Sequence, residues 1–117
     1  ETDFSVMLAN VSDKRKILRT MIESCEKDIV DLKIAMTAEN RESMRNIAHR
    51  MFPMWEMLSM EEILLTYRNV LKDSDSDMQT ILAHTNHIIT HIEHLIEDAR
   101  KEMERIADEE KNTDSRG

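Results

Sequence analysis

Residues 46–55 have the sequence NIAHRMFPMW and lie inside a segment whose apolar residues follow the helical period. Seven apolar residues recur there at three- and four-residue steps and therefore share one face: Met44, Ile47, Ala48, Met51, Met54, Trp55 and Leu58. At about 100° per residue, His49 falls roughly 140° away from Met44 around the helix axis. His49 is therefore predicted to face water near the middle of a helix that buries its opposite side.

The chain before this segment predicts two further helices. Phe4, Val6, Met7 and Leu8 indicate a short helix that follows a cap at Asp3. A long second helix, which Ser12 or Asp13 can cap, keeps an apolar period as far as about residue 36. Residues 37–40, TAEN, then interrupt the pattern, so the third helix, which carries His49, is predicted at about residues 39–58.

Two capping-box patterns follow the third helix. Ser59 with Glu62 predicts the start of a fourth helix, and Ser76 with Gln79 predicts the start of a fifth. The fifth helix is predicted at about residues 77–107, and the charged residues after it are predicted to form a frayed tail at 107–117.

Short connections between long amphipathic helices place neighbouring helices antiparallel to each other. The predicted fold is therefore all-α, an up-down antiparallel four-helix bundle with a short extra N-terminal helix. One Gly and one Pro in 117 residues leave little turn chemistry, which agrees with this fold class. We predict a single domain over residues 1–117, with its core at about 4–106.

Charge and cysteine content restrict the partners and the compartment. A formal net charge of −8 disfavours a basic surface for nucleic acid and disfavours direct contact with an anionic membrane. The single Cys25 cannot form an internal disulfide, which is typical of the reducing cytoplasm, and it falls on an apolar helix face. We therefore predict a cytoplasmic chain with a buried, inert thiol.

The chemistry expected of His49 is phosphoryl transfer. An exposed imidazole titrates near about 6.5 and is therefore largely neutral and nucleophilic at cytoplasmic pH. The sequence contains no P-loop or glycine-rich nucleotide loop, so an ATP site of its own is not predicted. Arg45, one turn before His49, and Arg50, directly after it, are candidates to stabilise a phosphate on the ring. The alternative, equally supported by their spacing, is that both arginines are surface charges that only keep this face in contact with water.

Three apolar residues beyond His49 are candidates for partner docking: Phe52, Pro53 and Met57. Pro53 also removes the backbone amide that would bond the carbonyl of His49, which favours a kink at a cost of about 3 kcal/mol. The alternative for Phe52 is packing against the fourth helix.

Two segments resemble the histidine phosphotransfer domains of multistep bacterial phosphorelays: residues 21–33, MIESCEKDIVDLK, and residues 42–51, ESMRNIAHRM. The resemblance covers about residues 4–106 in helix order and is specific only around residues 48–51. It implies that His49 accepts a phosphoryl group from the aspartyl phosphate of a receiver domain. It further implies that response-regulator receivers are the partners, that the receiver supplies Mg²⁺, that the domain itself binds no cofactor, and that it acts as a monomer without kinase activity.

The chain departs from the family pattern just after the histidine. The family commonly has Lys three residues past the histidine, where it helps hold phosphate, and Gly four residues past it, where it leaves room for the receiver. Here those positions are Phe52 and Pro53, so the phosphate-holding role is expected to pass to Arg45 or Arg50. The pattern His-x-Met-x-Pro-Met looks like the variant attached to some hybrid sensor kinases. It implies a C-terminal cytoplasmic module of an inner-membrane sensor histidine kinase.

Two alternatives remain open from the residues. Four histidines occupy one stripe of the last helix, at steps that allow neighbouring turns to share a metal such as zinc: His84, His87, His91 and His94. The simpler interpretation of the stripe is a row of half-exposed histidines at the edge of the bundle. The second alternative is a helical interaction module without chemistry, whose Met-rich apolar surface adapts to partners.

Overall fold

Helices account for all the regular secondary structure in the computed structural model, which describes residues 1–116, with side chains described as far as residue 113. There are five helices in this range and no strand: α1 Ser5–Leu8, α2 Lys14–Thr37, α3 Arg41–Met57, α4 Glu61–Lys72 and α5 Met78–Arg116. The prediction of an all-α chain is confirmed. Each long helix packs against the next one along the chain, and α5 also packs against α2.

The turns that end α2 and α3 share one geometry. Glu39 and Ser59 follow these helices with φ of 50° and 56°, in the left-handed region. In each turn the next amide reaches back to a carbonyl of the last helical turn, Asn40 to Ala35 and Met60 to Trp55, both at 2.9 Å. Ser59 therefore ends α3, and the prediction that it caps α4 was wrong. Met60 occupies that N-cap position without a side-chain hydrogen bond.

Side-chain caps mark the beginning of three helices. The bonds run from a backbone amide to an oxygen of the capping residue: Lys16 to Asp13 at 3.1 Å, Ser43 to Asn40 at 3.0 Å and Thr80 to Asp77 at 2.8 Å. Asp13 thus confirms one of the two caps predicted for α2. The predicted cap at Ser76 was wrong by one residue, because the carboxylate of Asp77 caps α5 instead.

The last helix is longer than predicted. It continues to Arg116, so the predicted end at about residue 107 was wrong for the described residues; residue 117 lies outside them, and the fraying of 107–117 stays a prediction. Arg105 bonds Glu102 and Glu109 along the helix. Arg15 of α2 pairs with Glu110 at 2.7 Å, so α2 supports this extension from the side.

The core is mainly aliphatic and draws on all four long helices. Its largest fully buried side chains are Trp55, Tyr67, Leu18, Leu32, Met44, Met51, Leu64, Leu71, Ile81, Ile88, Ile92 and Leu95. The apolar face predicted for α3 is buried as expected, with Met54 partly buried at its edge. Within this core the hydroxyls of Tyr67 and Thr85 lie 2.9 Å apart and bond each other, which removes the cost of burying them unpaired.

One arginine joins the start of α3 to the end of α4. The guanidinium of Arg41 donates to four backbone carbonyls: Leu71 at 2.7 Å, Ser76 at 3.3 Å, Val70 at 3.3 Å and Asp73. Carbonyls at the end of a helix have no partner within that helix, so Arg41 supplies the donors that α4 itself lacks. This side chain therefore sets how the turn after α4 sits against α3.

No helix among the described residues has both the length and the apolar character needed to cross a bilayer. Cys25 is fully buried, as predicted for an inert thiol. Burial, together with the nearby carboxylates of Asp28 and Glu26, raises the pKa of the thiol to about 12.

Cys25 is therefore expected to resist alkylation while the chain is folded. The thiolate is the reactive form. At pH 8 the raised pKa keeps the thiolate fraction small, and burial keeps the reagent away from the sulfur. Iodoacetamide should leave the native chain unmodified by mass spectrometry and should modify the chain completely in urea. Rapid native modification would contradict the packing of α2 against its neighbours.

The surface around His49

His49 lies in the middle of α3, and its side chain is exposed, as the sequence predicts. The adjacent Ala48 is fully buried and Met51 is 2% exposed, so the backbone that carries the ring is anchored in the core. The imidazole itself has no hydrogen-bond or ion-pair partner among residues 1–113. The ring is therefore held on a fixed support and is open to solvent.

Pro53 stands inside α3 four residues after His49, on the exposed face. Because proline has no amide hydrogen, the carbonyl of His49 lacks its usual helical donor. The helix nevertheless continues through Pro53 and ends at Met57, with Leu58 as its C-cap. Proline at this position therefore leaves His49 on continuous helix.

Arg50 points toward α2. Its Nη2 atom lies 2.7 Å from a carboxylate oxygen of Asp28 and 2.9 Å from one of Asp31, and Asp31 also bonds Lys27. Burial raises the pKa of the Asp28 carboxyl although Arg50 opposes this, while Lys27 and Arg50 lower the pKa of the exposed Asp31. The guanidinium contacts both carboxylates and so favours their charged forms. Arg50 thus bridges α2 and α3 through its Nη2 atom.

Arg45 is exposed one turn before His49 and makes no hydrogen bond or ion pair with any residue whose side chain is described. Positions three or four apart on a helix are neighbours on its surface. Of the two arginines that the sequence predicts for phosphate, Arg45 therefore has no bond to a described side chain, whereas Arg50 is bonded through Nη2 to Asp28 and Asp31.

Phe52 is half-buried against the core, and a cation covers its ring. The Cζ atom of Arg68, on α4, lies 5.4 Å from the ring centroid of Phe52. Because Phe52 follows His49 by three residues, this contact brings Arg68 to the His49 side of the molecule. Sequence reasoning missed Arg68, since its register in α4 shows an exposed position but not which helix lies beside it.

The predicted docking residues differ in exposure. Pro53 is exposed and Met57 is 43% exposed, whereas Phe52 contacts α4 as its alternative interpretation expected. Three further apolar side chains that were not predicted as docking residues are open to solvent on α2: Ile17 at 37%, Val30 at 54% and Ile34 at 62%. Ile34 borders a shallow groove between α2 and α3 that also contains Arg50.

The histidine stripe on α5 brings two rings together. Nε2 of His87 and Nε2 of His91 are 3.1 Å apart, and the rings meet edge to face. Burial, with His87 and His94 nearby, lowers the pKa of His91. Across the part of the chain that is described, no three His, Cys, Asp or Glu side chains are grouped to hold a metal ion. The four-histidine cluster of the alternative prediction is therefore a pair in the structure.

Comparison with protein-family models, with curated proteins and with solved structures finds no match for this chain. The chemistry of the site is accordingly inferred from the position of His49 and from the groups around it.

Proposed function

We propose that this chain is a histidine phosphotransfer domain that works as a phosphorelay intermediate in two-component signal transduction. His49 accepts a phosphoryl group from the aspartyl phosphate of one receiver domain and passes it to another. The observation that carries the proposal is the exposed imidazole, without a partner among residues 1–113, at the centre of a helix whose opposite face is buried. The domain is a phosphocarrier in the cytoplasm without an ATP site of its own, and a hybrid sensor histidine kinase is the proposed parent.

The proposed architecture serves this function. We propose that α2 to α5 form an up-down antiparallel four-helix bundle, with α1 as the short extra helix at one end. The packing of each long helix against the next, and of α5 against α2, supports this arrangement. Such a bundle presents the middle of α3 to a partner without any loop over the histidine.

The transfer step needs little from the carrier. One ring nitrogen of neutral His49 attacks phosphorus, the acyl P–O bond breaks, and the aspartate of the receiver leaves as a carboxylate with the bonding electron pair. The other ring nitrogen keeps its proton. Mg²⁺ held by the receiver neutralises the phosphoryl oxygens, and alignment with charge neutralisation accounts for most of the catalysis in such transfers. The role of this chain is to hold the imidazole in place.

Two arginines are proposed to stabilise the phosphorylated ring. Arg45 reaches it from the preceding turn of α3, and Arg68 reaches it from α4 across the ring of Phe52. Arg50 acts indirectly, because its ion pairs with Asp28 and Asp31 hold α2 against the helix that carries His49.

The proposed receiver-facing surface surrounds the histidine. It combines the exposed Pro53 and Met57 with the outer edge of Phe52 and with Arg45. An apolar patch with a flanking cation suits a receiver whose active site is acidic. We propose that the domain meets its receivers as a monomer.

A direct transfer assay tests the function. A receiver domain phosphorylated with labelled acetyl phosphate is freed of the donor and mixed with the chain. The label should move to the chain and should be acid-labile and base-stable, as expected of a phosphoramidate and not of a serine ester. No label on the chain with any of a panel of receivers would favour the interaction module without chemistry.

Arg68→Ala is expected to slow transfer about two- to fivefold, because an exposed ion pair with phosphate contributes up to roughly 1 kcal/mol. Single-turnover transfer from a phosphorylated receiver measures the rate. The matched control is Arg19→Ala, which removes an exposed arginine of α2 far along the helix from the Asp28 and Asp31 pair. Equal rates for the two variants would exclude Arg68 from the site.

A further inference from the structure

Two histidine rings on α5, outside the His49 site, approach each other closely. His87 and His91 stand one turn apart, and their Nε2 atoms are separated by 3.1 Å. His87 is exposed and His91 is half-buried, so the pair opens to solvent on one side. A hydrogen bond between the rings accounts for this distance. The same distance also allows both nitrogens to bind one ion placed between them.

The distance matches the requirement of a chelate. Zinc binds imidazole nitrogen at about 2.0–2.1 Å, and two nitrogens 3.1 Å apart then subtend an angle of about 100° at the ion. This value is near the angle that a tetrahedral ion needs. Each neutral imidazole can place its one proton on Nδ1, which leaves the Nε2 lone pair free for the metal.

We propose that His87 and His91 form a two-ligand site for a divalent transition-metal ion of the zinc class. The rings hold two coordination positions, and the other positions are open to water or to a group from another molecule. This site is independent of phosphoryl transfer at His49, which is carried by a different helix.

A carboxylate further along α5 already has partners. Asp98, one turn past His94, accepts hydrogen bonds from the amide and hydroxyl of Thr2 at 3.0 and 2.8 Å, so the N-terminal segment engages it.

Calorimetric titration of the whole chain with Zn²⁺ at pH 7 tests the proposal. The wild-type chain should bind one ion, and His87→Gln and His91→Gln should each weaken binding by about a hundredfold or more, because a chelate exceeds a single ligand by about 10²–10⁴. His84→Gln, on the same stripe, and His49→Gln, at the other site, should retain the wild-type affinity. Circular dichroism checks that each variant is helical, and His87, being exposed, can be replaced without opening the core.

A second measurement separates a chelate from loose surface binding. Zn²⁺ should raise the midpoint of thermal unfolding of the wild-type chain, because the two rings come together only in the folded helix. His87→Gln should lose that shift. Wild-type affinity in His87→Gln, or the same loss of affinity in His84→Gln, would show that the ring pair is a hydrogen bond alone and would overturn the proposal.

Discussion

His49→Gln is expected to abolish phosphoryl transfer to this chain, with a loss of at least about 10³-fold in rate, because the nucleophile itself is removed. Glutamine keeps the polarity and much of the length of the side chain, but its amide nitrogen carries no available lone pair. Transfer from a phosphorylated receiver in a single turnover, followed on an acid-free gel, measures the effect.

The structure makes this substitution a clean one. His49 is exposed and makes no hydrogen bond with the described side chains, so its replacement removes no packing and leaves no polar group unpaired. The free energy of unfolding in urea should therefore change by less than about 0.5 kcal/mol. An inactive variant with wild-type stability would locate the defect in the chemistry of the ring.

His84→Gln is the control for the number of reactive histidines. His84 is half-buried on α5, and the proposed function gives it no part in transfer. It should retain full labelling. Labelling that survives His49→Gln, or that disappears in His84→Gln, would contradict the assignment of the phosphoacceptor.

The largest effect on stability is expected from Arg41→Met. The change keeps an apolar side chain of similar length but removes the donors to four carbonyls at the end of α4 and in the turn after it. Hydrogen bonds from a charged donor contribute more than neutral ones, and we expect the free energy of unfolding to fall by about 2–3 kcal/mol. Urea unfolding followed by circular dichroism measures this difference.

Arg45→Met on the same helix is the matched control. Arg45 is exposed and has no bond with any described side chain, so its replacement should change the free energy of unfolding by less than about 0.5 kcal/mol. Equal stability of Arg41→Met and Arg45→Met would contradict this prediction. It would show that water satisfies the carbonyls at the end of α4 as well as the guanidinium does.

Helical periodicity is local information, and the parts of the fold that depend on it were predictable. The buried face of α3, the exposure of His49 and the burial of Cys25 follow from side chains three and four residues apart. The ends of helices were predicted less well. Ser59 matches a capping box in sequence, yet it adopts a left-handed conformation after α3, which lets the amide of Met60 bond the carbonyl of Trp55 and close that helix.

The amino-acid sequence by itself determined that this chain is helical, that one face of each long helix is apolar, and that a histidine stands in water at the centre of the third. The tertiary structure alone decided which charges have partners: Arg50 meets Asp28 of α2, and Arg68 of α4 covers Phe52. The physical reason is that the period of a helix gives the direction of a side chain about its own axis. The residue that this side chain contacts depends on which helix lies beside it, and on the position of that helix along and around its own axis.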